Sequence, residues 1–267
     1  MTSFKINTKR KTPFKKTKTE YTPGTDDIVS KLLPLNKHKS TDPIILIQQF
    51  YIDKNPKRQR EITFCLQKNC SNTFIHAIYL LNERLYTKKE LGIINDNDFS
   101  KIKQIVTKQR LSYKKVFDFI DELKGFIIFS NSDMIINDTI ENLLYSNLST
   151  QKSVIALTRY EYKIKNTRST FEENCNSSIL KSNGHQSQDT WIIHSNFNIP
   201  KYDRRVFDFN FGVPGCDNHL VFLLFKLNYE VFNTPSMIKT YHHHTSQIRN
   251  YNQKNRIRKP YKFLHPV

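Results

Sequence analysis

Apolar residues in this chain fall into short runs separated by segments of helical periodicity, and the alternation begins abruptly at Pro43. Ile44-Ile45-Leu46-Ile47 has the length and branching of a buried strand. Pro56 then opens a segment to Cys70 with apolar residues at Ile62, Cys65 and Leu66, near-helical spacing behind a proline suited to the first helical turn. Phe74 to Leu81 predicts a second strand, Ile102 to Thr107 a third and Gly125 to Phe129 a fourth. Between the last two, Val116, Phe117, Ile120 and Leu123 stripe a helix over 111–123. Further on the pattern predicts a helix from Asp138 to Leu148, strands at Ser153–Thr158, Thr190–His194 and Tyr229–Phe232, and a helix from Cys216 to Leu227. The polar, irregular stretch from Lys163 to Gln188 predicts a mobile loop. Strands alternating with helices of 10 to 14 residues imply an α/β fold with a mostly parallel sheet covered on both faces.

Charge divides the chain differently. The net charge is +18 and the pI about 9.7, a balance that favours partners carrying phosphate or other negative charge. Residues 1–40 and the segment after Thr245 supply +13 of it. The expected organisation is therefore a basic disordered tail over 1–40, one domain over 41–245 and a basic tail over 246–267. Proteolysis is expected to remove everything before about Lys39 without loss of the core. Lys15, Lys16 and Lys18 crowd together without an apolar face, which favours a disordered tail over the alternative of a transit peptide. No apolar run approaches the roughly 18 residues of a membrane span, so a soluble, cytoplasmic protein is expected. Cys65, Cys70, Cys175 and Cys216 lack zinc-ribbon spacing and read as reduced thiols. The six glycines cannot form a phosphate-binding glycine loop. Bound phosphates would need a cation, Lys/Arg side chains or a helix N-terminus instead.

Candidate chemistry gathers where strands end. In open α/β sheets ligands bind beyond the carboxyl ends of the strands, and the fourth strand runs into Asn131-Ser132-Asp133. Two oxygen-bearing side chains at i and i+2 can face one hard cation or a ribose, although the same residues also make ordinary turns. Gln48 and Glu83 close the first two strands at that edge. His242-His243-His244 offer imidazole ligands from a distant segment. Strand alternation would put His242 and His244 on one side, while exposure to solvent is the plain alternative. Asp217 stands before an apolar helix, where an N-cap and a general base are both reasonable roles. Asp189 beside Trp191, the only tryptophan, suits a sugar subsite or a core strand. Arg110 could approach a diphosphate or simply face solvent.

These blocks, from Gly125–Met134 through Ala156–Tyr160, Ser187–Trp191 and Pro214–Asn218 to Ile238–His244, resemble in their order GT-A-fold glycosyltransferases. The nearest group is the soluble enzymes of large DNA viruses of algae and amoebae. The resemblance covers about residues 42–251. It implies a single Rossmann-like domain that moves a sugar from a nucleotide-sugar donor to a glycan or protein hydroxyl. It also implies Mn²⁺ or Mg²⁺ held against the donor diphosphate by Asp133 with a late histidine, His242 or His244. The family's Asp-x-Asp element has Asn131 at its first position here. Asp217 would be the base of an inverting mechanism, with Asn131, Arg110, Asp189, Trp191, Gln48 and Glu83 contacting the donor or its sugar. Asp133→Ala is expected to abolish metal-dependent binding and to leave the melting temperature within a few degrees, since a strand end is not core.

Two other classes compete. A nucleic-acid-binding protein would explain the charge and the aromatics among basic residues at Tyr251, Arg256, Arg258 and Tyr261, but the charge lies in the tails, which suits polyanion contact by the tails alone. A metal-dependent phosphodiesterase would need several clustered carboxylates, and only Asp133 stands there before Asp138.

Overall fold

The computed structural model describes residues 31–32, 38–161, 170–246, 248 and 253–267. Most of the N-terminal tail, including Lys15, Lys16 and Lys18, lies outside the described residues, as does Tyr251.

The elements run β1 (Ile44–Gln48), α1 (Pro56–Ser71), β2 (Ile75–Asn82), α2 (Lys88–Leu91), α3 (Asp96–Ser100), β3 (Ile102–Val106), α4 (Tyr113–Phe119), β4 (Phe126–Ser130) and β5 (Met134–Ile136). They continue with β6 (Ser153–Thr158), β7 (Tyr160–Glu161), α5 (Phe171–Asn176), β8 (Ile179–Leu180), β9 (Gln188–His194), α6 (Cys216–Lys226), β10 (Glu230–Phe232) and β11 (Thr240–His242). α1 starts as its sequence predicts. The Asn55 side chain accepts from the backbone N–H groups of Lys57 and Arg58, and Pro56 needs no donor there. The segment after β5 is 3₁₀ helix over Asp138–Tyr145 and Asn147–Ser149 rather than the expected α-helix.

Seven strands form the main sheet in the order β10-β6-β9-β4-β1-β2-β3. All neighbours pair in parallel except at β9, which runs antiparallel to both β4 and β6. Along β1 the pleat sends Ile44 and Leu46 to one face, against Ile62 and Leu66 of α1. Ile45 and Ile47 go to the other, with Val116 and Phe117 of α4 and Leu220 and Leu224 of α6. Both faces are covered, as a run of four apolar residues requires.

A second, four-stranded sheet in the order β5-β11-β7-β8 stands beyond the end of β4. β5 and β11 are three residues each and carry too little pattern to be read as strands in advance. A small cluster of Cys65, Ile135 and Tyr241 packs this sheet onto α1. Part of the expected loop over 163–188 is ordered structure: α5, β8 and a 3₁₀ turn at Gly184–Gln186 occupy it. Residues 162–169 lie outside the described residues.

The tails differ from expectation where they are described. Leu32 is fully buried in the core and Lys31 pairs with Glu230, so the folded unit takes in residues before Thr41. Residues 253–267 are laid along the domain and hydrogen-bonded to it. Among the described residues no helix is long and apolar enough to cross a membrane, and the four cysteines are free thiols.

Candidate active site

β1 leads through α1 to β2 on one side, whereas its other neighbour is β4. The ends of β1 and β4 therefore diverge at a switch in strand order, where a crevice forms. A cleft of about 350 Å³ opens there, lined by Gln49, Tyr51 and residues Ser130 to Asp133 from these two strand ends.

The turn after β4 is braced from below. The Gln48 amide donates to Ser130 Oγ and to the Asn131 carbonyl, both at 2.9 Å, and Gln48 itself is buried. Its neighbour Gln49, the first residue past β1, lines the cleft instead. Gln48 is thus a support and not a donor contact. Glu83 is exposed and outside the cleft lining. Trp191 is fully buried and pairs across the sheet with Phe129. It is a core tryptophan without a face for a sugar.

Asp133 follows this turn and is buried. One of its oxygens, Oδ2, accepts from Arg58 Nη2 at 2.6 Å and lies 3.2 Å from His242 Nε2. The other, Oδ1, is buried with no hydrogen-bond partner among the described residues. Burial alone would raise the pKa of this carboxyl, but His242 and Arg58 outweigh it and hold the group well below the usual carboxylate range. β11 brings the histidines here: it pairs antiparallel with β5, setting His242 opposite Met134, and the His243 N–H donates to the Asp133 carbonyl at 2.9 Å. Asp133, His242 and His244 each turn a ligand atom inward, and these atoms lie within 4.8 Å of one another. His243 points the other way, its ring 4.7 Å from that of Phe64, and burial pushes its pKa down to about 4.

α1 holds the segment that follows. Glu61 accepts from Thr245 Oγ1 at 2.9 Å, from Ser246 Oγ at 2.9 Å and from the Ser246 backbone N–H, and it also takes Arg58 Nη1 at 3.1 Å. These donors keep it ionised despite burial. His244 Nε2 is 2.7 Å from the Ile248 carbonyl. That contact requires the proton on Nε2. Burial, with Arg58 and His242 nearby, lowers the His244 pKa and favours the neutral ring a cation needs.

The other end of the cleft is built on β9. Since β9 runs antiparallel, its first residues share an edge with the last residues of β4, and the Asn131 side chain donates to Asp189 Oδ1 at 2.9 Å. Arg159 closes a buried ion pair with Asp189 and also bonds Ser187 Oγ at 2.9 Å. Asp217 lies nearby in the first turn of α6, accepting from the Cys216 thiol at 3.3 Å. It is not the helix cap. Gly215 takes that position with φ of +84°, a conformation L side chains rarely adopt. Burial and the neighbouring Asp189 raise the Asp217 pKa well above the ordinary carboxylate value. On the rim, Arg110 donates through Nη2 to the Phe211 carbonyl at 2.8 Å.

The sequence reading missed Arg58, Glu61 and Arg159. An Arg at i and a Glu at i+3 on a helix, as at 58 and 61, is a readable pair, but nothing in the sequence says that it faces the strand ends.

No protein-family model and no curated protein matches the sequence. Solved structures do match in shape. The mannosyltransferase PcManGT of Pyrobaculum calidifontis, solved with GDP-mannose and Mn²⁺, aligns with a TM-score of 0.50 at 8% identity, over 83% of this chain and 63% of its own. The apo glycosyltransferase GlyE of Streptococcus pneumoniae TIGR4 gives 0.44 at 15% identity over 80% and 57%. The 4-diphosphocytidyl-2C-methyl-D-erythritol synthase of Anaerococcus prevotii gives 0.38 at 13% over 80% and 92%. The chain thus spans less than two thirds of the two glycosyltransferases, and neither source is a virus. At these identities the likeness concerns the fold. The mixed, mostly parallel α/β fold of this chain is one that a nucleotide-sugar glycosyltransferase also uses.

Proposed function

We propose that the protein is a glycosyltransferase that moves a sugar from a nucleoside-diphosphate donor to a hydroxyl acceptor with the help of a divalent cation. The observation that carries this reading is the Asp133, His242 and His244 group at the β4 edge of the cleft. One buried carboxylate with an unpartnered oxygen and two imidazoles form a donor set that suits a cation. Two nitrogen ligands favour Mn²⁺ over Mg²⁺, which prefers oxygen. Such a cation supplies neutralisation of the charge that grows on a leaving diphosphate.

The chain's own groups do the rest. Arg58 and Glu61 hold Asp133 and the histidine segment in register. Arg110 stands on the rim where a diphosphate needs a counter-charge. Asp189, oriented by Arg159 and Asn131, offers carboxylate oxygens to sugar hydroxyls. Asp217 is the base that takes the proton of the attacking hydroxyl in an inverting reaction. Its raised pKa moves it toward neutrality, where general bases work best. The acceptor is a glycan or protein hydroxyl.

The test is thermal shift with a panel of nucleotide sugars, with and without MnCl₂, since a ligand that binds only the folded state raises the melting temperature by mass action. A shift that requires both Mn²⁺ and a nucleotide sugar is expected. If no nucleotide sugar shifts the protein and a nuclease assay is positive, the phosphodiesterase reading takes over.

A further inference from the structure

The cleft holds several cations already committed to carboxylates. Arg58 is paired with Asp133 and Glu61, Arg159 with Asp189 and Glu161, and Lys181 with Glu161. Besides Arg110, one lining cation remains, Arg256. Among the described residues no carboxylate lies within ion-pairing distance of it, and Nη2 donates only to Gln253 Oε1 at 3.2 Å. It belongs to the basic segment that the sequence assigns to a tail outside the domain.

That segment is a strap fitted to the domain. The Ile257 N–H donates to the Pro214 carbonyl at 2.9 Å, the Lys262 N–H to the Asn218 carbonyl at 3.0 Å and the Val267 N–H to the Asn233 carbonyl at 2.9 Å. The Leu264 carbonyl accepts from Gln188 and Asn233. Ile257 and Leu264 pack on the core beneath α6. Tyr261 lies so close to Gly215 that a Cβ there would sit 2.7 Å from its hydroxyl oxygen. The Ile257 bond to Pro214 sets the neighbouring Arg256 beside the Gly215 turn, where it lines the cleft.

We propose that the strap over 253–267 is part of the active site and that Arg256 is its anion-binding residue, contacting the diphosphate of the donor. The inference rests on the glycosyl-transfer reading and adds to it a group from outside the expected domain. The chemistry is a guanidinium, which can meet two phosphate oxygens at once, set at the cleft with no carboxylate of the described residues within ion-pairing distance.

The experiment is calorimetric titration of the full chain with UDP, GDP and inorganic pyrophosphate, each with MnCl₂. It uses wild type, Arg256→Ala and Arg258→Ala, the last removing a charge from the same strap outside the cleft lining. Arg256→Ala is expected to bind pyrophosphate and the preferred nucleotide roughly ten- to a hundredfold more weakly, the loss of a charge-assisted hydrogen bond. Its melting temperature should not move, because the side chain is exposed and its hydrogen bond is to its neighbour Gln253. Arg258→Ala should bind as wild type. Equal affinities for wild type and Arg256→Ala, or an equal loss in both variants, overturn the assignment while leaving the glycosyl-transfer reading intact. A wild type that binds none of the three in Mn²⁺ overturns that reading, and the role of Arg256 with it.

Discussion

Asp133→Ala separates two roles that the sequence alone merges. Asp133 is buried and paired at 2.6 Å with Arg58, itself buried, so truncation leaves a guanidinium in the interior without its nearest counter-charge. Removing one partner of a buried pair costs about 3–5 kcal/mol. The lower end applies here because Arg58 keeps Glu61 at 3.1 Å. For a chain of this size about 3 kcal/mol corresponds to a fall in melting temperature of roughly 6–12 °C. The few degrees expected of a strand end are therefore an underestimate. The pH dependence has a definite sign. The folded-state pKa is depressed, so the pair's contribution is complete above the unfolded value of about 3.9 and is lost as pH falls through the folded one. Calorimetric melting of wild type and variant should show a constant gap from pH 5 to 8 that narrows only in stronger acid. A cycle with Arg58→Met should give a coupling of about 1–3 kcal/mol, because the second removal relieves what the first exposes. A gap below a degree at pH 7, or strict additivity in the cycle, would refute the reasoning.

Three further outcomes are expected. Asp217→Asn should lower the transfer rate by about 10² to 10⁴ with donor affinity unchanged, and should erase the acid limb of the pH–rate profile. Its folded-state pKa is raised, so Asp217 costs stability as pH climbs through that value, and Asp217→Asn should melt no lower than wild type at pH 7. Normal turnover would shift attention to Asp189 or to a retaining mechanism. Glu61→Ala releases the Thr245–Ser246 anchor and should weaken Mn²⁺ binding measured by paramagnetic resonance, although Glu61 is not a member of the Asp133, His242 and His244 group. Trp191→Phe should lower stability through the core and leave nucleotide affinity unchanged, and a large loss of affinity would restore Trp191 to the site.

What the chain determined locally was legible. Short branched apolar runs bounded by turn residues read as buried strands, and Asn55 before Pro56 supplies a helix start locally, so β1, α1, β2, β4 and β6 follow from the pattern. Asp133 is placed by the same logic, as the first acid after a buried strand. Partners across the fold were decided by tertiary structure. Whether His242 meets Asp133 depends on β11 pairing with β5, two three-residue strands without propensity enough to announce themselves. Trp191 and Asp189 are two residues apart, but the antiparallel course of β9 sets Asp189 at the cleft edge and Trp191 in the core, a direction no local pattern encodes. Arg256 sits in a stretch whose composition reads as solvated tail. Backbone hydrogen bonds to Pro214, Asn218 and Asn233 hold that stretch, and the residue types of a sequence do not record where a backbone N–H will find its acceptor.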